Sequence, residues 1–309
     1  MGALGDAVSP VGRSFTIVHG DQRAVITESG ATLRVYDVGQ RPVVEPFEGP
    51  DTLVVGGQGE ILAPWPNRTV DGSWTWGSTN HQLWITEPAR GHAIHGLVRK
   101  LRWTCVTTEP DRITLETTLL AHPGWPFPLH FATSYSLGPS GLTCQLTATN
   151  IGRESSPYGA AAHPYLSVPG GVVDDTLLGV PAATWLATDD RLAPIELRPT
   201  AGTPYEFDGR APVGGREVDN AFTDLERFDD GRVEARLTAP DGHTTVMWGD
   251  SSVRWWQLFT GDALPAPWRR TALALEPMTC GPNALNTGRD IVVLEPGDSH
   301  CLTWGLHLT

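Results

Sequence analysis

Two short stretches carry the residues best suited to moving a proton. In "LALEPMTCGPNALN", residues 273–286, Glu276 stands at the end of an apolar run and is followed at once by Pro277 and then by a glycine–proline turn. A carboxylate hidden from water is unfavourable unless it is paired or neutralised, so this one either turns outward or has a task. In "YGAAAHPYL", residues 158–166, small residues crowd before His163 and Pro164 fixes the backbone after it. Imidazole exchanges a proton near neutral pH, and such a neighbourhood lets another group approach closely. The competing reading is a strand-end histidine bonded to backbone.

Further polar residues sit in places that restrict them. "APWPNRTVDG" (63–72) presents Asn67 and Arg68 after two stiffening prolines, and the planar fork of an arginine suits carboxylates or sugar hydroxyls. "EVDNAFTDL" (217–225) supplies Asp219, either a hydrogen-bond acceptor for vicinal hydroxyls or a turn cap. His92 and His95 in "GHAIHGLVRK" (91–100) raise a metal site, but residues three apart on a strand face opposite sides and no third ligand lies nearby. One of them can still line a cleft, and Gly96 permits close approach of backbone or ligand. "VRWWQLFTGD" (253–262) sets two tryptophans before Gln257; aromatic faces pack on the C–H surfaces of pyranoses, although most of the 12 tryptophans belong to a core. Polar forks, acids, histidines and aromatic platforms together point to carbohydrate.

The elements that must hold these groups are strands. "RITLETTLL" (112–120), "LTCQLTATN" (142–150), "RVEARLTAP" (232–240) and "CLTWGLHLT" (301–309) alternate apolar and polar residues, and turn signals such as "HPGWP", "GPSG", "PDGH" and "EPGD" fall between such runs. With 34 glycines and 26 prolines spread through the chain, long helices have little room. The predicted fold is all-β, a large antiparallel β-sandwich, read as one domain over residues 1–309. The stretch 202–217 is the best candidate for a long loop, and it runs directly into "VDNAF" and so borders the site.

Composition limits the partners. At 40% hydrophobic and 18% charged the chain is globular, and no apolar stretch is long enough to cross a bilayer. A formal net charge of -13 with no basic run argues against nucleic acid and anionic membranes. The opening "MGALGDAVSPVGRSF" resembles no secretory leader, and Asp6 stands where a myristoylation signal has Ser or Thr. Four scattered cysteines signal neither zinc nor a disulfide framework and fit a reducing cytoplasm. A small-molecule sugar is the expected partner, with the protein a monomer or homodimer.

In order along the chain, "PWPNR", "HAIHGLVR", "AAHPYL", "VDNAF", "WQLFTG" and "ALEPMTCGPNALN" resemble the aldose 1-epimerase (galactose mutarotase) family. The resemblance implies a β-supersandwich, no cofactor, Glu276 as general base, His163 as general acid, and sugar contacts from Asn67, Arg68, His95, Asp219 and Gln257. Typical galactose-type members carry a glycine pair after the first histidine. Here "HGLVR" is similar to branches acting on hexose 6-phosphates or sulfonated sugars, with Arg99 a candidate for a C6 anion. The expected chemistry is anomer exchange: Glu276 ionised to take the O1 proton, and His163 charged to protonate O5. Two other readings use the same residues: a glycoside hydrolase with Glu276 and Asp219 as its carboxylates, and a β-sandwich that only binds sugar.

Overall fold

The computed structural model describes residues 9–49 and 51–309; the first eight residues, with Asp6 and most of the stretch read against a leader, lie outside them. Two large antiparallel sheets, of twelve and nine strands, dominate. All four alternating stretches became strands of the nine-stranded sheet: Arg112–Leu119, Gly141–Asn150, Val233–Thr238 and Ser299–Leu308. "GPSG" closes the hairpin between Leu129–Gly138 and Gly141–Asn150, and "PDGH" the one between Val233–Thr238 and Thr244–Gly249. Along Leu129–Gly138 every second residue is buried, as expected of a sheet with one face on a core. That core is shared: Ile113, Phe131 and Leu302 of this sheet pack in one cluster with Ile26, Trp256 and Leu273 of the other. Among the described residues the only α-helix is Ala284–Thr287.

The twelve-stranded sheet positions the candidate site. In its middle the strands Tyr165–Ser167, Ala272–Met278, Trp255–Phe259 and Asp219–Leu225 lie side by side in that order. Their register puts Tyr165 opposite Ala274, Gln257 opposite Glu276, and Asp219 opposite Phe259. Side chains alternate between the faces of a sheet. Leu273, Leu275, Trp256 and Leu258 therefore enter the central core, while Ala274, Glu276, Gln257, Phe259 and Asp219 share the other face. A one-residue slip would exchange the two sets.

Residues 202–217 are less loop-like than the sequence suggests. Asp208–Pro212 forms a strand against Leu177–Gly179, and Tyr205, just before it, stacks on Trp185.

Candidate active site

Three connecting segments wall in the outer face of the sheet. The turn between Ala161–Ala162 and Tyr165–Ser167 delivers His163, and the paired stretches Arg68–Thr69 and Ala93–Ile94 bring in Asn67, Arg68 and His95. The turn after Phe259 adds Ala263 and Leu264. Asn67 and His95 both have left-handed backbones, with φ of 51° and 65°, and the His95 N–H donates to the Asn67 carbonyl at 2.9 Å. Next to them Gly96 lies so near Ala63 that a Cβ would stand 2.0 Å from its carbonyl oxygen; the close approach is of backbone. The result is a hollow of about 220 Å³, lined by Asn67, Arg68, His95, His163, Asp219 and Glu276 among others.

At its centre His163 Nε2 lies 3.3 Å from Glu276 Oε1. Only 4% of His163 and 2% of Glu276 are exposed. His163 Nδ1 and Glu276 Oε2 have no protein partner. The imidazole is held by packing: Tyr165 stacks on it with centroids 5.2 Å apart, His95 meets it edge-on at 5.3 Å, and Gly57 leaves room beside it. The Tyr165 hydroxyl donates to the Gly56 carbonyl at 2.8 Å, which anchors the stacking ring.

Charges are arranged around this pair. Arg68 makes a two-pronged contact with Glu87, Nε to Oε2 at 2.8 Å and Nη2 to Oε1 at 3.1 Å, and reaches Asp219 at 3.5 Å. Arg90 donates to the same Glu87 at 2.9 Å. Gln257 donates from Nε2 to Asp219 Oδ1 at 2.7 Å. Burial pulls the His163 pKa down to about 3, with the Arg99 charge acting in the same direction. Burial pushes Glu276 well up, as does the nearby Asp219 charge, while Arg68 opposes the rise. Asp219 is raised by burial and pulled back by Arg68; His95 is driven well down by burial and by the neighbouring His163. Burial thus acts on both groups in the same sense, favouring the neutral imidazole and the protonated carboxyl over the ion pair. These directions run against the charged imidazole and ionised carboxylate expected of the pair.

Six of the seven residues singled out in the sequence meet in the hollow. The seventh, Gln257, is buried behind Asp219 and touches the site through it. Arg99 does not line the hollow: it pairs with buried Glu60 at 3.1 Å, which Lys100 also contacts. His92 is bonded on both ring nitrogens, to the Asp71 N–H and the Arg191 carbonyl. Trp255 and Trp256 are buried. Glu87 and Arg90, from "TEPARG", were missed because nothing in an isolated carboxylate or arginine signals a partner far along the chain. Tyr165 and Phe259 sat inside "HPYL" and "WQLF", where alternation from His163 and Gln257 would have flagged them.

A twelve- and a nine-stranded antiparallel sheet with an acid–imidazole pair on a walled outer face define a galactose mutarotase-like fold. The aldose 1-epimerase family matches residues 13–306, and the chain belongs to it. It is 30% identical over 297 residues to the uncharacterized protein YihR of Escherichia coli K12, covering 96% of this chain and 93% of that one. Its fold is similar to that of the GalM/aldose epimerase homologue from C. elegans, with a TM-score of 0.86, 17% identity and coverage of 96% and 99%. The galactose 1-epimerase from Lactobacillus acidophilus gives a TM-score of 0.82 at 17% identity, covering 96% and 94%.

Proposed function

We propose that this protein interconverts the α and β anomers of an aldohexose by opening and reclosing the ring, with Glu276 and His163 carrying the protons. The observation that carries this reading is their 3.3 Å contact inside a sugar-sized hollow. Opening requires a proton to leave the O1 hydroxyl and one to arrive on O5; the C1–O5 bond breaks as the carbonyl at C1 forms. Rotation about C1–C2 and the reverse steps give the other anomer. No electrons are gained or lost, so the chemistry calls for no cofactor.

A neutral pair, the form that burial favours for both groups, is compatible with this cycle. A protonated Glu276 beside a neutral His163 holds one proton, the same number as an ionised Glu276 beside an imidazolium. The proton crosses the 3.3 Å contact, Glu276 then accepts from O1, and His163 donates to O5. Arg68 favours the carboxylate form of Glu276. Asn67, Arg68, His95 and Asp219 take the remaining hydroxyls, and Gln257 acts by holding Asp219. The rival hydrolase reading leaves His163 without a task, and a module that only binds has no use for a buried acid–imidazole contact. The working compartment is the cytoplasm, consistent with four unpaired cysteines.

Two guanidiniums, Arg68 and Arg90, face two carboxylates, Glu87 and Asp219, in the lining, so the fixed charge is near balance and suits a neutral hexose. A C6-charged hexose is the second reading, favoured by the Arg90 nitrogens that Glu87 leaves free. Polarimetry or exchange NMR on freshly dissolved α-glucose, α-galactose, a hexose 6-phosphate and a 6-sulfonated hexose separates the two. Acceleration of none of them refutes the assignment.

The pH profile is a further check. The working pair holds one proton and is spoiled by a second in acid or by loss of the last in alkali. These are macroscopic steps of the pair. Ordinary Glu and His, at about 4.3 and 6.5, would confine activity to mildly acid pH. With Glu276 pushed up and His163 pulled down to about 3, kcat is expected to stay flat through neutrality and fall only on either side. A decline centred near pH 6.5 would contradict the neutral pair.

A further inference from the structure

The wall of the hollow that carries Arg90 is held from outside by a hairpin turn at the edge of the sheet. Residues 86–92 fold back on themselves: the Thr86 and Glu87 N–H groups donate to the His92 carbonyl at 3.1 and 3.0 Å, and the Arg90 and Gly91 N–H groups to the Glu87 carbonyl at 3.1 and 2.9 Å. The turn 189–193 joins the strands Ala182–Thr188 and Pro194–Pro199. Asp189 shapes it, its Oδ1 accepting from the Arg191 and Ala193 N–H groups at 2.8 and 2.9 Å, and Leu192 takes a left-handed φ of 60°.

His92 pins these two segments to each other and to Asp71. The Asp71 N–H can only donate, so it meets Nδ1 as an acceptor at 3.1 Å; the Arg191 carbonyl can only accept, so Nε2, at 3.0 Å, carries the proton. A single neutral tautomer satisfies both partners, and His92 is fully buried. With the turn fixed in this way, the Arg191 guanidinium reaches back across the wall. Its Nε donates to the Arg90 carbonyl at 2.9 Å and its Nη2 to Asp71. Gly91 leaves it room: φ there is +73°, and a Cβ would stand 3.1 Å from Nη2. The Arg191–Asp71 pair is about half exposed and adds little stability by itself. Its geometric effect is larger, because Arg90 lines the hollow and donates to Glu87, which in turn grips Arg68.

We propose that Arg191 is a positioning residue for sugar binding: it holds the backbone of Arg90 so that the Arg90 guanidinium meets Glu87 and the wall of the hollow keeps its shape. This rests on the reading of the hollow as the site of anomer exchange. Arg191 does not itself border the hollow, so it acts only through Arg90. Its loss therefore weakens the binding of sugar and leaves the proton transfers between Glu276, His163 and the ring alone.

The test measures kcat and KM for anomer exchange of glucose and galactose in wild type, Arg191→Met, Arg90→Met and the double variant. Arg191 is half exposed on a turn and methionine keeps the aliphatic stem, so the fold tolerates the change. Arg191→Met is expected to raise KM by about three- to tenfold, on the order of one hydrogen bond, with kcat the same to within about twofold. Where Arg90 is already methionine, the further rise in KM is expected to stay below about twofold, because the group being positioned is gone. An unchanged KM in Arg191→Met, a fall in kcat with KM intact, or an equal rise in KM with and without Arg90 overturns the proposal. If wild type accelerates no sugar, the anomer-exchange reading has failed by itself, and hydrogen exchange then judges Arg191. Faster exchange of the Arg90 and Gly91 amides in Arg191→Met supports its positioning role, and equal exchange overturns it.

Discussion

Glu276→Gln is expected to slow anomer exchange by about 10²–10⁴-fold and, at alkaline pH, to make the protein more stable. The amide keeps the size of the side chain but cannot accept the O1 proton. Its effect on stability follows from linkage. Burial raises the Glu276 pKa above its ordinary value, so the native state binds this proton more tightly than the unfolded chain does. The resulting stabilisation is complete below the unfolded value and is lost as pH rises through the folded one. Each unit of displacement is worth about 1.4 kcal/mol. Glutamine never ionises and escapes the loss. His163 shifts the other way, its contribution being present above its unfolded pKa and lost as pH falls towards about 3. That term is present in both proteins and largely cancels in their difference. Thermal melts at acid, neutral and alkaline pH, paired with polarimetry, measure both effects. A variant that is inactive but gains no stability as pH rises would show that Glu276 is ionised at rest.

Arg68→Met is expected to destabilise the fold by about 3–5 kcal/mol, the range for removing one partner of a buried ion pair, and to raise KM for the sugar. Arg68 is the link between Glu87 and Asp219, with all three side chains largely shielded. Without it two carboxylates face each other across a poorly hydrated space, with only Arg90 left to Glu87. The double variant Arg68→Met, Glu87→Gln should recover part of the stability, because one stranded charge is gone. Urea unfolding of the single and double variants reads this coupling. Equal losses in both would mean that Arg68 acts through packing alone.

The sequence was most legible where a local rule and the final environment agree. Period two in 112–120 and 301–309 reports a sheet face directly, and those strands formed with boundaries within a residue or two. The charge at the end of "LALE" was legible for the same reason: Leu273 and Leu275 demand the core, so Glu276 must take the opposite face. What remained hidden depends on partners distant in the chain. Glu87 becomes a site residue only because Arg68 and Arg90 converge on it. Arg99 carries a positive charge in a suggestive motif, yet Glu60 claims it. Protonation at rest was likewise out of reach, since it depends on how completely water is shut out around His163 and Glu276, and no short-range pattern records that.

The division between sheet and connecting segments has a consequence for how such a catalyst can diversify. Glu276 and Asp219 stand on mid-sheet strands whose reverse faces are committed to the common core, so their placement is bound to the stability of the two packed sheets. The segments that carry Arg90, Ile94 and Leu264 are tied down by far fewer ladder bonds. Insertions and substitutions there can redraw the rim while the sheet-borne side chains keep their places.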